Sequence, residues 1–299
     1  MQIFFEHFRE TGTAHTMKRK RMTRKQALDL FLSSDLIGLG MEADAARRNA
    51  HPDDVVTYAL GERIFSGTDA GCCQAEAESS GIRIPLASQS SVEDLEETLR
   101  ALRKKFPSLQ ILVCASEILL LARRSHFSLE DALFRLRSAG LDSIADNEAL
   151  AMDDWLAVHR AAHRAQMKTT AHFIFGAGEG LEQRLDLLDR VSDVQKETGG
   201  FIALAPRSHA PARELDAPTG VEYLKMMAIC RLYLPEIPHV QASSTAQGLK
   251  MLQMALRFGA DDAGPVPSHA TEEDVRRIIR DAGFRPAQRD LLYRMMVLN

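Results

Sequence analysis

Seven short runs of apolar and β-branched residues, each followed by a longer stretch of helical periodicity, constrain this 299-residue chain more than any other feature. The runs are Val55–Ala59, 82–86, 109–114, 141–144, Thr169–Phe175, 201–205 and 240–243. Runs this short and this apolar fit strands packed on both faces, and strands joined through helices lie parallel. A closed (β/α) barrel and an open doubly wound α/β sheet share this alternation, so periodicity alone does not close the ring. No Gly-x-Gly-x-x-Gly turn follows the first run, which weakens the dinucleotide-binding form of the open sheet. Seven or eight strand-helix units fit the length, so one domain suffices.

The helices carry their own punctuation. Thr23 and Gln26 have the spacing of a capping box, and Leu28, Leu30, Phe31, Leu36, Leu39 and Met41 recur at helical intervals, which predicts two short cover helices before the core. Ser90 with Glu93 opens a helix over 92–105, Ser128 with Asp131 opens another, and Gly199-Gly200 closes the stretch Leu181–Thr198. Gly176-Ala-Gly178-Glu-Gly180, after a strand and before a helix, could hold an anion on its amides; plain turn formation is the favoured reading.

Composition excludes several classes. With 45% hydrophobic and 26% charged residues and a net charge of -4, no field favours nucleic acid. No apolar run approaches the roughly 20 residues that span a bilayer, and residues 1–8 do not resemble a signal peptide, so no membrane partner and a cytoplasmic location are expected. Cys72, Cys73, Cys114 and Cys230 form no disulfide framework, as in a reducing compartment. Lys18, Arg19, Lys20, Arg21, Arg24 and Lys25 read as a solvated basic arm, assigned to residues 1–22, with Met17 or Met22 as alternative starts to Met1.

Among possible sites, His159 and His163 stand one helical turn apart, the spacing of a metal pair, but no Glu follows His159 as in a zinc protease, and two core histidines are expected. Alternation in 169–175 puts Thr170, His172 and Ile174 on one face; if the aromatic face meets the outer helices, His172 points into the ring as ligand, acid-base group, substrate contact or hydrogen-bonded core residue. Glu179, Arg207, Gln241, Ser243 and Asp262 would follow at or near strand ends and could line a small polar pocket. No nucleophile elbow surrounds any serine. Met226, Met227, Met251, Met254, Met295 and Met296 are read as core methionines in helical segments, and the apolar stretch 291–297 as a cap on the barrel bottom or a docking surface for a partner subunit, capping being preferred.

Several stretches carry a resemblance: Ala27-Leu-Asp-Leu-Phe31, Asp35-Leu-Ile-Gly-Leu-Gly40, His51-Pro52, Val55-Val-Thr-Tyr58, Ala139-Gly-Leu-Asp-Ser-Ile144, Lys168-Thr-Thr-Ala171, Ile237-Pro-His-Val-Gln-Ala-Ser243 and Ala282-Gly-Phe-Arg-Pro-Ala-Gln-Arg-Asp290. From Thr23 onward the chain resembles the radical S-adenosylmethionine enzymes of futalosine-dependent menaquinone biosynthesis, dehypoxanthine futalosine cyclase and aminofutalosine synthase. The resemblance implies a TIM-type (β/α) barrel, here one domain over 23–299 with N-terminal cover helices. It also implies a [4Fe-4S] cluster on a Cys-x-x-x-Cys-x-x-Cys loop after the Val-Thr-Tyr strand, with S-adenosylmethionine on the fourth iron.

The sequence departs from that pattern where the chemistry should sit. Residues 58–73 hold only the adjacent Cys72 and Cys73, and 67–80 are expected to run straight into the first barrel helix. Ile84-Pro-Leu-Ala-Ser-Gln-Ser-Ser91 replaces a glycine-rich segment near the S-adenosylmethionine amino group, Ser143-Ile-Ala-Asp-Asn-Glu-Ala149 replaces a longer Gly-Gly-Gly loop, and Ala263-Gly-Pro-Val-Pro267 is a third trimming. Every loss falls after a strand, on the functional face of a barrel, while strand and helix bodies are kept. The expectation is a pseudoenzyme without cofactor or metal, paired in a hetero-oligomer with an intact radical enzyme. A working enzyme is the alternative, either one of menaquinone biosynthesis with a cluster borrowed from a partner or one using the pocket around His172 for an unrelated cofactor-free reaction, and a nucleoside-like small-molecule binder is the third reading. The match to the family pattern makes Gln241, Ser243 and Asp262 the better candidates for a vestigial nucleoside-binding surface.

Overall fold

The computed structural model describes residues 22–65, 79–87, 89–145, 150–209 and 218–298. Two helices lead, α1 (Arg24–Leu32) and α2 (Leu36–Ala50). The capping box forms as the spacing predicts, Gln26 N donating to Thr23 Oγ1 and Thr23 N to Gln26 Oε1. Strands then alternate with helices: β1 (Val55–Ala59), β2 (Glu62–Ile64), β3 (Gly81–Arg83), α3 (Val92–Lys105), β4 (Ile111–Cys114), α4 (Ala115–Ser125), α5 (Leu129–Ala139), β5 (Ser143–Ala145), α6 (Met152–Arg164), β6 (Thr169–Phe175), α7 (Leu181–Thr198) and β7 (Phe201–Ser208). The chain continues through α8 (Gly220–Tyr233), β8 (His239–Val240), α9 (Ser244–Leu256), β9 (Asp262–Pro265), α10 (Glu272–Asp281), β10 (Arg285–Arg289) and β11 (Met295–Leu298).

The strands form a barrel. β1 pairs parallel with β9, turns at Leu60-Gly61 where Gly61 takes φ +95°, and runs on as β2, which pairs parallel with β3. The ring continues β3, β4, β5 and then β6, β7, β8, with Gln241 bridging to Asp262 to reach β9. Counting β1 and β2 as one bent strand gives the eight positions of a TIM-type barrel. Between β5 and β6 the described residues make no ladder; Ser143 Oγ donates to the Lys168 carbonyl across that seam at 2.7 Å. β10 lies parallel along the free edge of β1, and β11 folds back antiparallel on β10.

Two apolar layers lie outside the ring. One packs Ile82, Ile111, Val113 and Ile144 against α3 to α6; the other packs Val56, Tyr58, Phe173, Leu204 and Val240 against α1, α2 and α6 to α10, so α6 lies in both. Within the ring the apolar cluster is small, Leu112, Cys114 and Ala145 against Leu291.

Several expectations shift. The capping box of α3 is Ser91 with Asp94, one residue beyond Ser90 and Glu93, because Asp94 both accepts from Ser91 and donates back. Ser80 leads into β3 and not into a helix; 66–78, with Cys72 and Cys73, lie outside the described residues, as do 146–149 and the arm through residue 21. Met295 and Met296 sit on the edge strand β11 and are exposed, and Met254 is half exposed, so only part of the methionine set is core. Of the stretch 291–297, Leu291 and Tyr293 turn into the foot of the ring, as a cap on the barrel bottom predicts, while 294–296 are exposed. No described helix is long and apolar enough to cross a membrane.

Candidate functional site

Paired residues of a parallel sheet share a face, so the ladders identify the inward side chains. On β6, Thr170, His172 and Ile174 pair with Ala203, Ala205 and Arg207 and are half-buried, whereas Ala171, Phe173 and Phe175 join the outer layer. His172 therefore faces the ring, as alternation requires. Opposite it stand Glu62 of β2, Arg83 of β3 and Cys114 of β4. Arg83 Nε lies 2.9 Å from Glu62 Oε1, and Arg83 Nη1 donates to Cys114 Sγ at 3.3 Å. Shelter from water raises the Glu62 carboxyl above its usual range against the pull of Arg83 and His172. Burial likewise raises the Cys114 thiol, which Arg83 opposes. Glu117 ties this rim together, accepting from Leu86 N at 3.0 Å and Cys114 N at 3.3 Å.

Deeper in the ring the C-terminal turn enters from β10. Arg289 is buried and donates to both oxygens of the fully buried Asp262, which also accepts from Thr57 Oγ1 at 2.5 Å. Gln241 Oε1 accepts from Arg289 Nη2 at 3.2 Å and from the Tyr293 hydroxyl at 2.7 Å. The Tyr293 ring lies under the Arg289 guanidinium, 3.7 Å away, and stacks on His239 at 4.7 Å. Gln110 receives Leu291 N and donates to Asp290, pinning the turn to the foot of β4.

The expected pocket is thus only partly assembled. Gln241 and Asp262 meet, but at the base of the ring, where Arg289 and Tyr293 occupy them; Asp262 opens β9 and does not follow it. Glu179 folds back on its own loop, accepting from Gly176 N, Ala177 N and Arg184 Nε, so the 176–180 glycines shape a turn closed by a carboxylate and not an anion cradle. Ser243 stands at the N-cap position of α9 without a side-chain capping bond and donates its backbone N–H to the Tyr223 hydroxyl at 2.8 Å. Arg207 stands at the mouth beside Ile174. His159 and His163 are buried core residues, both bonded to Thr169 Oγ1 at 2.8 Å, with His163 also on Thr198. Glu62, Arg83, Arg289 and Tyr293 were not expected here. A charged residue between the outward Ile82 and Ile84 is the signal that would have found Arg83.

An iron-sulfur cluster held by cysteines does not fit the described donor set. Cys114 is the one described thiol facing the ring, and it is bound to a guanidinium; Cys230 is fully buried in the outer layer, its pKa pushed up by desolvation.

A family model described as "CofH/MqnC C-terminal region" matches residues 211–298. The cyclic dehypoxanthine futalosine synthase of Streptomyces coelicolor is 30% identical over 93% of this chain and 86% of its own length. The 5-amino-6-(D-ribitylamino)uracil–L-tyrosine 4-hydroxyphenyl transferase of Methanothermobacter thermautotrophicus is 32% identical over 67% of this chain and 65% of its own. Among solved structures, methylornithine synthase superposes with a TM-score of 0.64 at 13% identity, covering 90% of this chain and 95% of that one, a likeness of fold. A barrel of this build, matched nearly end to end by such a relative, belongs to the radical S-adenosylmethionine family of futalosine-route enzymes.

Proposed function

We propose that this chain is a non-catalytic member of the family, serving as the partner or regulatory subunit of an intact radical S-adenosylmethionine relative in menaquinone biosynthesis. The observation that carries the reading is the donor set at the mouth: Cys114 is the one described thiol facing the ring, Arg83 holds it together with Glu62, and Glu117 holds Leu86. The sequence supports it from the other side, since its four cysteines include no triad at cluster spacing. Half-buried Thr170 and His172 favour a second role beside the first, sheltering a nucleoside-type ligand above the C-terminal turn.

Anaerobic reconstitution with iron and sulfide, followed by iron analysis and assay of S-adenosylmethionine cleavage, tests the reading. The expected result is neither a stoichiometric cluster nor cleavage. About four irons per chain with cleavage would overturn it. Purification from the native cell is expected to bring down an intact radical enzyme in stoichiometric amount; a lone monomer would overturn the partner role.

A further inference from the structure

On the opposite side of Tyr293 from the mouth lies a cluster that the proposed function does not use. His51 ends α2, His239 opens β8 and Asp261 immediately precedes β9, so three separate segments meet. Asp261 Oδ2 lies 2.5 Å from His239 Nδ1 and 3.2 Å from His51 Nε2, and all three atoms fall within 4.8 Å of one another. The two imidazoles stack at 5.0 Å. The other carboxylate oxygen, Oδ1, is taken by Arg231 Nη2 and by Val240 N at 2.8 Å. Arg231 is itself fixed on the carbonyls of Gly259 and Pro238. The carboxylate is thereby aimed by one oxygen. The histidine side chains keep 20% and 21% of their surface, so solvent reaches a site whose carboxylate is buried.

We infer that His51, His239 and Asp261 form a two-histidine, one-carboxylate site for a divalent first-row transition metal. Imidazole with a monodentate carboxylate suits iron(II), cobalt, nickel or zinc, and open positions remain for water. His51 Nε2 faces two acceptors, Asp261 Oδ2 and the Pro238 carbonyl at 2.9 Å, so it carries a proton in the metal-free form. A metal would take the lone pairs of His51 Nε2 and His239 Nδ1, with the ring proton of each histidine on its other nitrogen. Donors about 2.1 Å from one tetrahedral metal stand about 3.4 Å apart, so the His239–Asp261 contact would open by about 0.9 Å and the His51–Asp261 contact by about 0.2 Å. The metal would join the chain before β1 to β8 and β9 at the barrel foot.

The test uses the full chain carrying Cys72→Ser and Cys73→Ser, so that those thiols add no ligand, stripped with chelator and titrated with Co²⁺ alone. One Co²⁺ per chain with a visible ligand-field band is expected, with X-ray absorption showing two imidazoles. His51→Gln should weaken affinity at least about tenfold. Failure of the parent to bind stoichiometrically, a spectrum without two imidazoles, or unchanged affinity in His51→Gln would overturn the site. Where that variant does not fold, the parent's absorption spectrum decides. None of these readouts depends on iron-sulfur reconstitution or on a partner.

Discussion

Arg289 grips both carboxylate oxygens of Asp262, at 2.5 and 2.7 Å, in a bidentate pair almost wholly enclosed by the ring. Burial works against the cation, but Asp262 prevails and the guanidinium stays charged. Breaking such a pair from one side strands the other charge, at about 3–5 kcal/mol. Arg289→Met should lower urea-unfolding stability by that amount. Arg289→Met with Asp262→Leu should recover most of the loss, because no lone charge is then left in the interior.

The C-terminal turn fits its place through a missing side chain. A Cβ on Gly81 would meet the Gln110 carbonyl at 2.6 Å and Leu291 Cδ1 at 2.8 Å. Gly81→Ala is expected to cost about 1–3 kcal/mol, read as a lowered melting temperature. Combining it with Leu291→Ala should cost less than the sum of the two, since the larger side chain it strikes is gone.

His163 sets a pH dependence. Burial first, then His159 and Lys168, lower its pKa to about 3 in the folded chain, against about 6.5 unfolded. Above the unfolded value both states are neutral there and nothing is lost. As pH falls below it, only the unfolded state takes the proton, so stability declines until the folded pKa is reached, by up to about 1.4 kcal/mol per pH unit. Urea titrations from pH 7 to pH 4 should show this slope, and His163→Asn should flatten it. An equal slope in the variant would assign the decline to other groups.

How far the sequence spoke depended on the scale of the signal. Thr169–Phe175 shows a full period-two alternation, and it aimed His172 inward. β2 is only three residues long, too short for an alternation to mark Glu62 as inward, and the sole sign of Arg83 is the outward Ile82 and Ile84 on either side of it. Gln241 and Asp262 were found as residues but misplaced in depth, because nothing local to them announces that Arg289 and Tyr293 arrive from the far end of the chain. The same holds for His51, His239 and Asp261, whose meeting is a product of ring closure. Met295 and Met296 were read as helical because a four-residue edge strand after a turn has no period to distinguish it.

The seam between β5 and β6 is a place in the ring where the described strands make no ladder. The two apolar layers meet beside it on α6, whose Trp155 and Leu156 pack in one and Val158, Ala161 and Ala162 in the other, and among the described residues the Ser143 hydroxyl donates to the Lys168 carbonyl across it. A seam without ladder bonds is where the ring is expected to loosen first, read as faster amide exchange in β5, paired on one edge, than in β7, paired on both.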